Sequence, residues 1–363
     1  MEVSLSALPN LHVLGRHLPG RQPLTLFYTG SGFVCRLTSG SLWLHLRADY
    51  EQVEPWVTVE LNGAPISRFA VPKGDSTICL FRGLTPGIPR TVRLLKDVQA
   101  MHDDPAHLLQ VVGLCCDDDT EFLPLPAPRL RLEFVGDSIT SGEGCIGAQC
   151  EEDWVGAFFS AREHYARMTA DSLGADWRIV SQSGWGLVSG WDNDPHHCIM
   201  PFYEKVCGVA QGARNAALGA QQPNDFSAWP ADAVIINLGT NDAGALHNPA
   251  WHDPKSGESF RQTDPSAIGR AAVRALKTLR RCNPDALLIW AYGMLGEELR
   301  PVLESAVAEY RAESGDVRAA YLPLPAATPQ TLGARQHPGA ECHRQAAKVL
   351  TEFLTEQFPS RLI

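Results

Sequence analysis

Leu130-Arg-Leu-Glu-Phe-Val-Gly-Asp-Ser-Ile-Thr140 is an apolar run that ends on a glycine and breaks into a polar loop. Leu132, Phe134 and Val135 have the apolar density of a strand buried on both faces. Gly136 permits a tight exit that presents Ser138 at the strand's carboxyl end. Similar runs follow at Trp177-Arg-Ile-Val-Ser, Ala233-Val-Ile-Ile-Asn-Leu, Ala286-Leu-Leu-Ile-Trp-Ala and Val317-Arg-Ala-Ala-Tyr-Leu. Helical periodicity falls between and after them, near 155–174, 265–282, 297–314 and 338–357. Continuous apolar strands alternating with amphipathic helices predict a parallel sheet covered on both faces. Ligands of such sheets sit beyond the carboxyl ends of the strands, which is where reactive residues are to be sought.

Upstream, Pro124-Leu-Pro-Ala-Pro128 is a stiff joint and marks a domain boundary. Before it the text is β throughout. Strands are expected at Leu24–Thr29, Gly32–Leu37, Ser41–Leu46, Trp56–Leu61, Ser76–Phe81, Arg90–Lys96 and Leu108–Leu114. Turn text such as Ser39-Gly, Asn62-Gly-Ala-Pro and Thr85-Pro-Gly separates them. Many short strands at regular spacing predict a sandwich or jelly roll. The expected organisation is an all-β jelly-roll sandwich over 1–125 and an α/β domain over 129–363.

A chain of 363 residues is long enough for two cores. Lys plus Arg is 31 against 41 Asp plus Glu, a balance of −10 with no basic run. That argues against nucleic acid and anionic membrane as partners and fits a neutral substrate. No apolar run reaches the roughly 20 residues of a membrane helix. The first ten residues lack a basic start and an apolar core, so a cytoplasmic location is expected, or secretion if an export signal precedes Met1 in the gene. Ten cysteines, with Cys115 and Cys116 adjacent, read as reduced thiols rather than a disulfide framework. No cysteine or histidine spacing of the zinc type appears, and no metal or organic cofactor is expected.

Four blocks follow strands and carry chemistry. The first holds Ser138, a hydroxyl nucleophile with backbone N–H groups nearby; the GxSxG elbow is absent, since Thr140 stands two residues on. The second is Ser181-Gln-Ser-Gly-Trp-Gly186, where Gly184 or Gly186 offers a backbone N–H to an oxyanion. The third is Asn237-Leu-Gly-Thr-Asn-Asp242, where the Asn241 amide can aim at the same charge. The fourth is Gln336-His-Pro-Gly339. Pro338 fits the first turn of the last helix, which puts His337 at a helix N-terminus, where a neutral base is favoured. Alone, each block also reads as an ordinary turn or cap. Their order on one α/β domain is the signal.

That order resembles the SGNH (GDSL-like) hydrolases, and the whole chain resembles carbohydrate esterase family 2. The matching text is Pro9-Asn-Leu-His-Val-Leu-Gly-Arg16, Gly136-Asp-Ser-Ile-Thr140, Ser183-Gly-Trp-Gly186, Ile236-Asn-Leu-Gly-Thr-Asn-Asp242 and His337-Pro338. The resemblance implies an N-terminal jelly roll joined to a three-layer SGNH domain. It also implies metal-free removal of acetyl groups from plant-type oligo- or polysaccharides such as xylan, mannan or glucomannan. It makes Ser138 the nucleophile and His337 the base, and gives the oxyanion to the Ser138 and Gly184 N–H groups and the Asn241 side chain. SGNH enzymes commonly carry Asp three residues before the histidine; here that residue is Ala334. A Ser–His dyad is therefore expected, because Glu341, one turn into the helix, should point away. Trp185, beside the oxyanion glycine, is favoured over Trp154, Trp191 and Trp251 as a sugar-stacking surface. Trp191-Asp-Asn-Asp-Pro-His-His-Cys198 is read as a polar loop, and His343 as structural. Two other readings are a general acyl esterase or lysophospholipase on the same scaffold and a glycan-binding protein that has lost catalysis.

Overall fold

The computed structural model describes residues 1–8, 10–20 and 22–362, so Pro9, at the head of one quoted stretch, lies outside them. Two antiparallel sheets occupy the chain as far as Leu123. In one, Leu108–Cys116 pairs with Leu42–Asp49, which pairs in turn with Gly74–Phe81. In the other, Arg90–Lys96 lies between Gly32–Leu37 and Trp56–Leu61. Alternation along Leu42–Asp49 shows why they face each other. Leu42, Leu44, Leu46 and Ala48 are buried with Val57, Val59, Val92 and Leu94, while Arg47 is exposed. Each leucine so buried contributes about 1.5–3 kcal/mol.

This half departs from expectation in short added strands at Glu2–Val3, His12–Leu14 and Phe122–Leu123, and in two further places. The strand expected at Leu24–Thr29 spans only Leu24–Thr25. Ala64–Ala70 is an additional strand that, among the described residues, pairs only with Trp56–Leu61 across the Asn62–Gly63 turn. Its text, Ala-Pro-Ile-Ser-Arg-Phe-Ala, lacks apolar alternation because an edge strand has one solvated side and tolerates proline.

The second half is a parallel sheet of β1 (Arg131–Gly136), β2 (Asp176–Ser181), β3 (Ala233–Asn237), β4 (Leu287–Tyr292) and β5 (Ala319–Pro323), ordered β2-β1-β3-β4-β5. One face packs on Tyr165–Leu173 and Ala340–Gln357, the other on Pro265–Cys282 and Arg300–Ser314. This double cover explains the continuous apolar text of the strands. The first helix is shorter than the expected 155–174. His164 caps it by accepting the Ala166 N–H at 3.2 Å, and the residues before it form a loop that packs Trp154 and Phe159 on Val98 and Met101.

The two halves share a core. Leu14, Val34 and Leu95 from the sandwich side pack with Leu130, Trp177 and Ile179. Beside them, the buried Arg16 donates to Glu133 of β1 at 3.1 Å and to the Lys205 carbonyl at 2.8 Å. A charge pair so enclosed holds position because removing one partner strands the other, at about 3–5 kcal/mol. Among the described residues no helix is long and apolar enough to cross a membrane, and none of the ten cysteines forms a disulfide.

Candidate active site

β1 delivers the serine. A Cβ at Gly136 would lie 2.1 Å from Thr140 Oγ1 and 2.7 Å from the Asn237 carbonyl oxygen, so only glycine fits where the strand exits. Asp137 then caps the short helix Ser138–Ser141 by accepting the Ile139 N–H at 3.0 Å. Burial pushes the Asp137 carboxyl up to about 7.

His337 reaches this serine from the far end of the chain. Its Nε2 lies 2.9 Å from Ser138 Oγ, and its Nδ1 lies 2.8 Å from the Arg335 carbonyl oxygen. A carbonyl only accepts, so Nδ1 carries the proton and Nε2 is left to accept from the serine hydroxyl. The last helix begins at Ala340, behind Gly339 as N-cap. Pro338 is therefore not in the first turn of this helix as expected; it precedes the N-cap, and His337 stands two residues before that cap. The backbone of 333–337 determines where the imidazole points. Ala334 N–H donates to the Gly144 carbonyl at 3.1 Å, and Gly333 N–H to the His337 carbonyl at 2.8 Å. Gly144 lies so close beneath that a Cβ there would meet Ala334 O at 2.2 Å and His337 Cβ at 2.7 Å.

Arg335 takes the left-handed backbone, at φ +57°. Its N–H donates to the Glu151 carbonyl and its Nη1 to the Glu152 carbonyl, both at 2.7 Å, and its Nε to Glu143 Oε1 at 2.8 Å. The same Glu143 oxygen is 3.8 Å from His337 Nε2, and the Glu143 side chain is almost wholly buried. Sequence reasoning passed over both residues. The one cue was a charged residue between two glycines, Gly142-Glu143-Gly144, in the serine block. Glu341 is exposed and pairs with Arg344, away from the imidazole. His343 is buried in the last helix, and burial holds it well below the usual histidine range.

The oxyanion candidates separate on hydrogen bonding. The Gly186 N–H is taken by the His197 carbonyl at 3.1 Å, whereas the Gly184 N–H meets no acceptor among the described residues. Asn241 sits in the first turn of Thr240–Leu246; its Nδ2 spends one donor on the Trp185 carbonyl at 3.0 Å and keeps a second. Its neighbour Asp242 accepts the Leu187 and Val188 N–H groups, each at 2.8 Å, and fixes the glycine loop from below. Burial pushes that carboxyl up to about 6. From the sandwich side Gln99 Oε1 accepts the Ser183 N–H at 2.8 Å, one residue before Gly184, a contact no motif announced.

Trp185 is not an open surface for a sugar. It is only 4 % exposed, stacked on His197 at 5.3 Å and met edge-on by His102 at 5.2 Å. The accessible ring is Trp191, 56 % exposed, whose Cδ1 lies 3.6 Å from where a Cβ on Gly184 would stand. The loop after it is tied down by polar contacts: Asn193 Nδ2 donates to the Ala245 carbonyl at 2.8 Å, and Asp194 pairs with His196 at 2.8 Å. No group of three or more His, Cys, Asp or Glu that could hold a metal occurs among the described residues. A cavity of about 760 Å³ near Phe226, Arg281 and Asn283 lies at the amino-terminal edge of the sheet, away from Ser138.

Nucleophile-type and base-type side chains thus meet beyond the carboxyl ends of parallel strands, beside unspent N–H donors. Residues 134–345, more than half of the chain, match the GDSL-like Lipase/Acylhydrolase family, and the chain belongs to that family of carboxylic ester hydrolases. The acetyl xylan esterase Est2A from the rumen bacterium Butyrivibrio proteoclasticus is similar over 99 % of both chains, with 39 % identity and a TM-score of 0.96. A family two carbohydrate esterase from Clostridium thermocellum, solved with cellohexaose, shares the fold over 96 % of this chain and 99 % of its own at 24 % identity and a TM-score of 0.80. The acetylxylan esterase / glucomannan deacetylase of Cellvibrio japonicus is 24 % identical over 96 % of this chain and 89 % of its own length. The chain spans 34 % of the length of the cellulase/esterase CelE of Acetivibrio thermocellus, with 28 % identity over 82 % of this chain.

Proposed function

We propose that this protein is a carbohydrate O-acetyl esterase that acts on neutral plant-type oligo- and polysaccharides through an acetyl-enzyme. The observation that carries the reading is the polar relay from Ser138 Oγ to His337 Nε2, and from His337 Nδ1 to the Arg335 carbonyl. In the proposed acylation, Ser138 Oγ attacks the acetyl carbonyl carbon while its proton passes to Nε2. The negative carbonyl oxygen is met by the Ser138 and Gly184 N–H groups and the free Asn241 amide N–H; one such donor is worth about 10²–10³ in rate. His337 returns the proton to the departing sugar oxygen. A water then gives a proton to Nε2 and attacks the acetyl-serine, and Nε2 passes that proton to Ser138 Oγ as the acyl bond breaks and acetate leaves.

Three observations support a sugar substrate. Trp191 offers an exposed ring beside Gly184, and an indole face binds the apolar face of a pyranose. The net charge of −10 disfavours anionic substrates. The relatives named above include an acetyl xylan esterase and a glucomannan deacetylase. The test incubates acetylated xylo- and gluco-manno-oligosaccharides with the protein and follows loss of acetyl groups by mass spectrometry, beside 4-nitrophenyl acetate and octanoate. Acetyl release from the glycans and at least tenfold preference for acetate over octanoate are expected. Faster octanoate cleavage with no deacetylation of glycans would replace this reading by a general acyl esterase.

A further inference from the structure

With Ala334 where a carboxylate commonly stands, the imidazole needs another means of orientation, and Glu143 and Arg335 occupy the place that would supply it. We propose that the Glu143–Arg335 pair is a positioning unit for His337: Arg335 aims the carbonyl that receives Nδ1–H, and Glu143 both anchors Arg335 and places its negative charge beside the imidazolium. The inference rests on the Ser138–His337 reading above.

Arg335 adopts a left-handed backbone that non-glycine residues seldom take, and such a conformation persists only where the surroundings impose it. Here they do. Its main-chain N–H, Nε and Nη1 are bound to three different residues of the loop that follows Ser138, namely Glu151, Glu143 and Glu152. Those bonds fix the peptide before Arg335 and the side chain, and with the backbone held left-handed the Arg335 carbonyl faces Nδ1 at 2.8 Å. A neutral carbonyl orients the ring but adds little to an imidazolium. Glu143 supplies the missing charge from another direction. Its Oε1 bridges Arg335 Nε at 2.8 Å and His337 Nε2 at 3.8 Å, inside a site where little water screens it. When Nε2 takes the serine proton, the positive charge forms next to that oxygen. The other titratable groups at this corner are Glu152, bound to the Gln336 side chain at 2.9 Å, Asp137 before the nucleophile, and the buried His343. Neither Glu152 nor Asp137 forms a hydrogen bond or ion pair with the imidazole among the described residues, whereas His343 feels the charge of His337, and Asp137 that of Glu143.

The test is kinetic, with Glu143→Gln, Glu143→Asp and Arg335→Gly in the full chain. Glycine tolerates φ +57°, removes the side-chain anchor and keeps the main-chain N–H bond to Glu151. Both Glu143→Gln and Arg335→Gly should lower kcat by about 10–100-fold with KM changed less than about threefold. Their pH profiles should move in opposite directions. Loss of the carboxylate destabilises the imidazolium, so the acidic limb of kcat/KM shifts to lower pH by about half a unit or more. Loss of the guanidinium leaves the carboxylate unopposed, and the limb shifts to higher pH. Glu143→Asp should return the limb towards its original position. A purely structural pair would lower both rates with the limb unmoved, and that result overturns the inference, as does kcat within twofold of the parent in either folded variant. If Glu143→Gln fails to fold, Arg335→Gly and Glu143→Asp decide by the same criteria. Ser138→Ala and His337→Ala run alongside. If they retain turnover, the dyad itself is wrong; if they are inactive while the pair variants are normal, only this inference fails.

Discussion

The segments that deliver Ser138 and His337 end 2.9 Å apart and are built in opposite ways. The serine follows a strand that from Leu132 on is buried and paired on both sides, by β2 and β3. Its position is set by the sheet, by Gly136 and by the Asp137 cap. The histidine follows no strand directly. It rides on the 333–337 loop, between β5 and the last helix, held by hydrogen bonds to the 142–152 loop and by a left-handed arginine. One side chain of the pair is positioned by packing, the other by polar clamps. Packing leaves a continuous apolar trace in the text and clamps do not.

That difference governs what could be read from the sequence. The five parallel strands were legible because a strand covered on both faces must be apolar throughout, as Ala233-Val-Ile-Ile-Asn237 is. Ser138, Asn241 and the glycine loop were legible because each begins where such a run stops. The edge strand Ala64–Ala70 escaped because half of it faces water. Glu143 and Arg335 escaped because their partners lie 192 residues apart in the chain. Trp185 was misjudged because nearness to Gly184 in sequence says nothing of exposure: its ring turns inward onto His197, and Trp191, seven residues from Gly184, turns out.

The histidine side can be broken most sharply at Ala334. This side chain is fully buried, 2.7 Å from where a Cβ on Gly147 would stand, and Nδ1 is already bonded to the next residue's carbonyl. Ala334→Asp therefore buries a carboxylate without completing a triad. It should cost about 2–4 kcal/mol in denaturant unfolding and lower kcat by tenfold or more. A gain in kcat would mean that the loop is free to re-aim the imidazole.

The serine side can be sharpened at Asp137, with a smaller effect of opposite sign. Its carboxyl is raised by burial to about 7, against about 3.9 when unfolded. Between those values the folded protein holds a proton that the unfolded chain has released. Stability from this group thus falls as pH rises from about 4 through about 7. Asp137→Asn keeps an oxygen for the Ile139 N–H and removes the charge. Unfolding at pH 8 should show the variant more stable by about 1–3 kcal/mol, with the gain vanishing near pH 4. An equal effect at both pH values would show that Asp137 does not titrate in this window.

The most direct test of the account is the rate of acetate release by purified, folded Ser138→Ala and His337→Ala on an acetylated xylo-oligosaccharide. Each should fall by about 10³-fold or more, and the double variant should be little worse than either, because the two groups act as one unit. A folded Ser138→Ala protein that releases acetate within tenfold of the parent rate would contradict the account.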